Sequence, residues 1–128
     1  LTERARLTIR THAPGLAVRG NPDALVGAIL NLANNALDAA GPDALVEIEA
    51  RERGGWAEIR VRDNGPGVPR EARERIFEPF YTTRSHGTGL GLAVVRSVAL
   101  AHGGSIDLEE PLRGASFRIR LPALGADA

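Results

Sequence analysis

Three short segments carry the residue types that a nucleotide site needs. They are Asn31-Leu-Ala-Asn-Asn35-Ala, Asp63-Asn-Gly-Pro-Gly67 and Gly87-Thr-Gly-Leu-Gly91. An amide oxygen is a hard donor suited to Mg²⁺, a carboxylate can accept from the amino group of a base, and glycine amides at a helix start can contact phosphate. Each segment alone is a weak signal, but in this order the three predict a nucleotide pocket.

The first segment lies on a predicted amphipathic helix. Asn21, Pro22 and Asp23 supply an N-cap, a proline at the first helical position and an acid in the first turn, and Gly41-Pro42 ends the helix after Ala40. On a helical wheel of about 100° per residue, one broad arc is apolar. It consists of Leu25, Val26, Ile29, Leu30, Leu32, Ala33, Ala36 and Leu37.

The opposite side of this helix is a polar seam of Asn31, Asn35 and Asp38. One interpretation is that the seam lines a cavity and that an amide oxygen binds Mg²⁺, since the phosphates already bring the negative charge. The other is that the seam simply faces water. Asn is a poor helix former, so its repeated use in one helix favours a functional reason.

Asp63 ends a predicted strand, on the same face as the apolar residues of the range 57–61. A buried carboxylate without partners is costly, and the amino group of adenine is a suitable donor to it. Gly65 and Gly67 would let the backbone approach a flat base closely. The alternative is that Asp-Asn-Gly-Pro-Gly is an ordinary turn sequence.

The glycines of the third segment have the spacing G-x-G-x-G, which differs from the dinucleotide pattern G-x-G-x-x-G. They either contact phosphate or form a flexible hinge. Upstream, Phe77 and Phe80 could anchor a lid, and Arg75 and Arg84 could offer guanidinium groups to phosphate oxygens. The alternative is that both Phe are core residues and both Arg are solvated.

The composition narrows the class of protein. The 128 residues suit one domain, the net charge of zero argues against a nucleic-acid partner, and no apolar run reaches the length of a membrane span. All 16 basic residues are Arg, so a P-loop and the strand Lys of protein kinases are excluded. There is no Cys and no Met, and we interpret the chain as a piece of a longer protein.

The remaining pattern predicts a sheet and a second helix. Strands are expected at 7–11, 16–19, 46–51, 57–62, 105–109 and 115–121, a short charged helix near 69–76, an irregular loop at 79–90, an apolar helix at 91–101 and a tail after Pro122. Nearly every strand has one apolar and one charged face. A sheet covered on one side by two helices, a two-layer α/β sandwich, satisfies this pattern.

The three histidines are not expected to form a metal cluster, because no acid neighbours them in the sequence. His102 stands near a helix C-terminus, where capping or interaction with the helix dipole is the expected role. His12 falls in a predicted turn and His86 in the loop.

Together the segments resemble the N, G1, F and G2 boxes of the ATP-binding catalytic domain of sensor histidine kinases, in the GHKL ATPase superfamily. The resemblance covers about 6–121 and implies the Bergerat fold, a mixed, mostly antiparallel sheet with helices on one face. The wording around Asn35-Ala-Leu-Asp-Ala and Glu-Pro-Phe80-Tyr-Thr-Thr-Arg is most similar to kinases of the nitrogen-regulation type. The whole chain, 1–128, is expected to be this single domain.

The resemblance also implies roles for residues. Asn35 matches the Mg²⁺ ligand, Asn31 its catalytic companion and Asp63 the adenine-binding acid. Because Asp38 stands where many members have a basic residue, Arg84 is expected to neutralise phosphate as a catalytic residue, and Asp38 to lie near the nucleotide. The other nucleotide contacts implied are Gly65, Gly67, Val68, Ile76, Phe77, Phe80, Thr83, Gly87, Thr88, Gly89, Leu90, Gly91 and Leu92.

The activity implied is transfer of the γ-phosphoryl group of Mg-ATP to a histidine. ATPases of the gyrase kind place a catalytic Glu where this chain has Asn31, and an amide cannot act as a base. Anti-sigma-factor serine kinases also tend to use a Glu there. A GHKL-type ATPase, a serine kinase, a nucleotide-binding regulatory module and a plain interaction domain are the alternatives.

The partners implied lie outside the chain. The contexts of His12, His86 and His102 do not resemble a phospho-acceptor box, so the acceptor is expected on a separate dimerisation domain, with a response regulator as an indirect partner. The isolated domain is expected to be a cytoplasmic monomer that contacts neither nucleic acid nor membrane, whether or not its parent is membrane-anchored.

Overall fold

The structure, a computed structural model, describes residues 4–81, 91–109 and 113–125. In these ranges a five-stranded sheet has the order β1-β2-β3-β5-β4, with β1 parallel to β2 and the other pairs antiparallel. The two-layer sandwich with a mixed, mostly antiparallel sheet is thereby confirmed. The elements are β1 (Arg6–Thr11), α1 (Pro22–Ala40), β2 (Leu45–Arg53), β3 (Trp56–Asp63), a 3₁₀ turn (Arg70–Ala72), α2 (Gly91–Ala101), β4 (Ser105–Glu109) and β5 (Ser116–Pro122).

Helix α1 begins and ends where local sequence signals place it. The Oδ1 of Asn21 accepts a hydrogen bond from the backbone N–H of Ala24 at 3.1 Å, which satisfies one of the unpaired donors of the first turn. At the other end Gly41 adopts φ +83° and its N–H donates to the carbonyl of Leu37. With ψ −161° this is a backbone conformation that glycine adopts at little cost and that residues with a Cβ rarely adopt.

The core lies between the sheet and the two helices. Helix α1 contacts β2 and β3, α2 contacts β4 and β5, and the helices contact each other. The sheet face toward them buries alternate residues of the three middle strands, β2, β3 and β5, as the strand patterns predict. Buried on this face are Val46, Ala57, Val61, Phe117, Ile119 and Leu121.

The predicted apolar arc of α1 is too broad. Val26 and Leu30 are each 55% exposed, whereas Leu32 is fully buried. The edge strand β1 is similarly uncovered, since Leu7 and Ile9 are exposed. Two helices are too few to cover five strands, so apolar residues at the edge of the sheet and on the outer side of α1 stay exposed.

Two predicted elements are wrong. The range 16–19 is not a strand: it forms one isolated antiparallel bridge, between Val18 and Ala123. The neighbour of β1 in the sheet is β2, with which it pairs in parallel. The range 69–76 is not a helix beyond Arg70–Ala72, and successive turns follow. So short a segment loses more in nucleating a helix than its few hydrogen bonds return.

The sheet face away from the helices is covered by its own ion pairs. Arg60 Nε lies 2.9 Å from Glu109 Oε1, and its terminal nitrogens lie 3.9 Å from both Glu49 and Glu58. The side chain of Glu58 is only 3% exposed and also lies 3.4 Å from Arg120 Nε. Long Arg stems laid across the strands thus bury part of this face without a second layer.

These contacts lower the pKa values of two carboxyl groups, those of Glu49 and Glu109. The hydrogen bond to His12, 2.8 Å long, is the largest influence on Glu49 and holds its pKa below the usual value. Burial acts to raise the pKa of Glu109, but hydrogen bonds from Arg60 and Ser116, together with the positive charges of Arg60 and Arg118, outweigh it and the pKa is lowered.

We therefore expect stability to fall in acid through this face. A carboxyl whose folded pKa is lowered stabilises the fold above its unfolded pKa of about 4.3, and the contribution is lost as the pH falls through the folded value. Urea midpoints measured from pH 6 to pH 3 should drop less steeply in Glu109→Gln than in the unaltered chain. Glu71→Gln, an exposed control, should keep the full slope; an equally flat profile in both variants would contradict the assignment.

No helix in the described part of the chain is long and apolar enough to cross a bilayer.

Candidate functional site

A cavity of about 700 Å³ opens between the second half of α1, the end of β3 with the segment after it, and the start of α2. Its size is that of a site for a small organic ligand. It is lined by Asn31, Asn34, Asn35, Asp38, Ala39, Asp63, Pro66, Gly67, Val68, Pro69, Ile76, Tyr81, Gly91, Leu92, Ala115 and Phe117.

One wall is the polar seam of α1. Asn31, Asn35 and Asp38 all line the cavity. Asn34, which was not among the residues predicted for the site, lines it as well. At about 100° per residue, Asn34 falls within 60° of Asn31, so the helical wheel contained the signal. Four oxygen-bearing side chains on one helix face can receive a cation or donate to a polar ligand.

Asp63 lines the cavity and is only 8% exposed. Its Oδ1 accepts hydrogen bonds from the backbone N–H groups of Gly65 at 2.8 Å and Ala115 at 3.3 Å. Both hydrogen bonds that the described residues give it end on Oδ1, so Oδ2 is the oxygen that can accept from a ligand. Burial raises the pKa of Asp63, and these two hydrogen bonds only partly oppose the shift.

Gly65 and Gly67, the two glycines after Asp63, both pack closely against other backbone. A Cβ at Gly65 would lie 3.0 Å from Asp63 Oδ1 and 3.1 Å from the carbonyl oxygen of Ala39. Gly67, with φ +81°, approaches Gly114 so closely that a Cβ would lie 2.9 Å from its carbonyl oxygen. Gly65 is therefore packed against α1 and is not on the wall, whereas Gly67 is.

The remaining walls are apolar. Val68, Ile76 and Leu92 line them, together with Phe117 from the core. Phe77, a predicted contact, does not reach the cavity: it packs edge-on against Phe117, with ring centroids 6.0 Å apart. Apolar walls facing a buried carboxylate suit a planar ring that carries an amino group.

Phe80 is also absent from the wall. It is 76% exposed and has φ +67°, a conformation that bulky residues adopt rarely. The aromatic residue that does line the cavity is its neighbour Tyr81, over whose ring the guanidinium of Arg75 lies at 4.7 Å. Arg75 also pairs with Glu78 at 3.4 Å.

The glycine segment falls mostly outside the described residues, as do the predicted contacts Thr83, Arg84, Gly87, Thr88, Gly89 and Leu90. The structure describes only the last glycine of this segment, Gly91, which begins α2. Gly91 and Leu92, in the first turn of α2, line the cavity. The start of a helix carries unpaired N–H groups that attract anions. The cavity thus has an acid on one wall and the start of α2 on another.

Comparison with known proteins agrees with this geometry. Residues 20–125 match the family "Histidine kinase-, DNA gyrase B-, and HSP90-like ATPase". The sensor histidine kinase ZraS of Klebsiella oxytoca is 41% identical over 118 residues, which cover 90% of this chain and 26% of that protein. The chain thus spans about a quarter of the length of that relative.

Solved structures agree as well. The nucleotide-free catalytic domain of histidine kinase ThkA aligns with a TM-score of 0.86 and 31% identity, covering 93% of this chain and 79% of that one. ThkA was also solved in complex with the response regulator protein TrrA (TM-score 0.78, 28% identity, 91% and 33% covered). Full-length ShkA in complex with AMPPNP aligns with a TM-score of 0.81 and 32% identity, covering 93% and 26%. This chain therefore belongs to the histidine kinase-, DNA gyrase B- and HSP90-like ATPase family, and within it to the catalytic domains of sensor histidine kinases.

Proposed function

We propose that the cavity binds Mg-ATP and that the domain donates the γ-phosphoryl group to a histidine on a separate dimerisation domain of its parent protein. The observation that carries the proposal is the pairing, within one cavity, of the buried Asp63 with the amide seam of α1. One feature recognises a base and the other a metal–phosphate group, and a nucleoside triphosphate contains both.

Asp63 is proposed to read adenine. Its Oδ2 would accept a hydrogen bond from the exocyclic amino group, while Val68, Ile76 and Leu92 flank the ring with apolar surface. Guanine carries a carbonyl oxygen at the corresponding ring position, and two acceptors would then face each other without a proton between them. We therefore expect ATP to bind more tightly than GTP.

The α1 seam is proposed to hold the metal, with Asn35 as ligand and Asn31 beside it. Mg²⁺ prefers oxygen ligands and keeps much of its water, and the described residues contain no group of three His, Cys, Asp or Glu that could hold an ion by themselves. Phosphate oxygens and water would supply the other ligands, so the ion needs few ligands from the protein. When bound, the ion neutralises and orients the phosphate oxygens for transfer.

The phosphate chain is proposed to extend toward the start of α2, where Gly91 and Leu92 line the cavity. The roles of Thr83, Arg84, Gly87, Thr88, Gly89 and Leu90 rest on the resemblance to the family alone. With Asp38 rather than a basic residue on the cavity wall, Arg84 is our candidate for neutralising the transferred group.

A second function, hydrolysis of ATP, is suggested by Asp38. This carboxylate lines the cavity on the same helix as Asn31 and Asn35, and a carboxylate can activate water where the amide of Asn31 cannot. Phosphate release from ATP without any acceptor, abolished in Asp38→Asn, would favour the ATPase. Phosphate release slower than phosphoryl transfer to the acceptor domain would favour the kinase.

The proposed setting is a two-component signalling system. The acceptor domain and, indirectly, a response regulator are the partners, and ThkA with TrrA is a precedent in a structural neighbour. We place the single domain, 1–128 with a tail from 122, in the cytoplasm as a monomer when isolated. The nitrogen-regulation subtype stays a prediction.

Asn35→Ala tests the metal role. We expect phosphoryl transfer to the acceptor domain of the parent protein to fall about 100-fold or more, because metal-assisted positioning is lost. ATP affinity should fall less, by about tenfold at most, and should lose its dependence on Mg²⁺. Isothermal titration with and without Mg²⁺ and a radiolabel transfer assay measure the two effects.

The matched control is Asn34→Ala, which removes the neighbouring amide of the same seam. It should leave Mg²⁺ dependence intact. Equal losses in the two variants would show that the seam acts only as polar surface. In the absence of acceptor the chain itself should remain unlabelled, and label on the isolated chain would contradict a separate acceptor domain.

A further inference from the structure

The two helices that line the cavity are joined at their far ends by one side chain. The second half of α1 and the first turn of α2 line the cavity. The start of α1 meets the end of α2 through Asn21 and His102. The helices are therefore antiparallel, and a contact at one end sets how the other ends face each other.

His102 is bonded at both ring nitrogens. Nε2 lies 3.1 Å from the backbone nitrogen of Asn21, and Nδ1 lies 2.7 Å from the carbonyl oxygen of Val98. A backbone N–H can only donate, so Nε2 accepts. A carbonyl can only accept, so Nδ1 carries the proton. The arrangement requires the neutral Nδ1–H form, with one bond into each helix end.

The chain leaves room for this ring. A Cβ at Gly20 would overlap the imidazole of His102 and would lie 3.0 Å from Cδ1 of Leu25. The ring therefore occupies the space of a side chain just before the N-cap of α1. Asn21 thus has two tasks: its side chain caps α1 through Ala24, and its backbone N–H holds His102.

Packing between the helices is incomplete at this end. An apolar cavity of about 90 Å³ lies between the two helices and the sheet, lined from α1 by Leu25, Ala28 and Ile29, from α2 by Val95, Val98 and Ala99, and also by β3 and β5. Side chains that border empty space make fewer dispersion contacts and constrain sliding less. The hydrogen bonds of His102 therefore add a directional constraint on the axial position of α1 against α2.

We infer that His102 is a positioning residue for the nucleotide site, which holds the α1 seam at its working distance from the start of α2. A helix has a fixed rise of 1.5 Å per residue, so it moves along its axis as a unit. A displacement at Asn21 therefore moves Asn31 and Asn35 as well. Because misplacement by about 1 Å can cost 100-fold in a reaction, a modest shift is enough. This inference rests on the proposed binding of ATP.

Two variants separate the bonds of His102. In His102→Asn the amide can donate to Val98 from the place of Nδ1 but cannot reach Asn21. In His102→Gln the longer side chain can place an amide oxygen where Nε2 was and accept from Asn21. At a temperature where each protein is fully folded, we expect the ATP dissociation constant to rise about threefold to tenfold in His102→Asn and to stay within about twofold in His102→Gln.

Thermal unfolding is measured in parallel, because a merely structural contact would lower the melting temperature without changing the affinity. Unchanged affinity in His102→Asn, or equal losses in both variants, overturns the inference while the proposed function stands. Failure of the unaltered chain to bind ATP refutes the proposed function, and the inference with it. Nitrogen NMR of the unaltered chain should show the Nδ1–H form of His102; the Nε2–H form would also overturn it.

Discussion

Asp63→Asn should abolish useful ATP binding while leaving the protein folded. The variant amide can still accept from Gly65 and Ala115 through its oxygen, but it then presents an NH₂ group where Oδ2 was. Two donors would face each other at adenine, and a binding site built around a hydrogen bond discriminates strongly when the bond is lost. We expect the ATP dissociation constant to rise about 100-fold or more by calorimetry.

The same change should not lower stability at neutral pH. Burial raises the pKa of Asp63, so its ionised form is disfavoured in the folded state. Such a group stabilises the fold below its unfolded pKa of about 3.9, and that contribution is lost as the pH rises through the folded value. Asn carries no charge to desolvate, so the melting temperature at pH 7 should be equal or higher, as is common where function opposes stability.

The matched control for this prediction is Asp38→Asn, which makes the same chemical change on the exposed side of the same cavity. It should retain adenine binding and the preference for ATP over GTP. If Asp38→Asn weakened ATP binding as much as Asp63→Asn, the effect would be one of total charge in the cavity. Equal ATP and GTP affinity in the unaltered chain would refute the proposed role of Asp63 in base recognition.

Gly114→Ala should give the largest loss of stability. Gly114 has φ +69°, and a Cβ there would collide with the backbone carbonyl oxygen of Asp63 and lie 3.2 Å from its Oδ1. Backbone cannot move aside as a flexible side chain can. We expect a loss of about 3 kcal/mol or more, or about 10 °C in melting temperature. Where the variant is still folded, ATP affinity should fall too, because Asp63 is displaced.

Gly41→Ala separates backbone strain from collision. Gly41 has φ +83° and nothing within 4 Å of the position of a Cβ. It should cost only the strain of this backbone conformation (φ +83°, ψ −161°), about 1–3 kcal/mol, and leave ATP affinity unchanged. A melting temperature of Gly114→Ala equal to that of Gly41→Ala would mean that the close approach of residue 114 to Asp63 carries no energy.

The helices and strand faces could be predicted because their signals are local. Asn21, Pro22 and Gly41 act within one turn of the ends of α1, and a repeat of two is inherent in a strand. The α1 seam follows from the same helical geometry, since residues three and four apart share a face. The boxes that identify the family are likewise short runs of neighbouring residues.

Which faces of those elements are buried, and which segments pair, could not be predicted from local signals. Val26 and Leu30 belong to an apolar arc but stay exposed, because no element of the described chain packs over them. The range 16–19 alternates like a strand, yet only Val18 finds a partner, at Ala123. Pairing and burial depend on what other segments leave available, which a pattern within one segment does not contain.

The sequence alone determined which residues have the chemistry of the site: an amide seam, a strand-end acid and a glycine-rich helix start. Only the tertiary structure decided what surrounds them. Ala115 donates to Asp63 across 52 residues of chain and His102 holds Asn21 across 81. Tyr81, rather than Phe80, lines the cavity. Such contacts form where the folded chain brings distant groups together, so their energies are fixed by packing and not by spacing along the sequence.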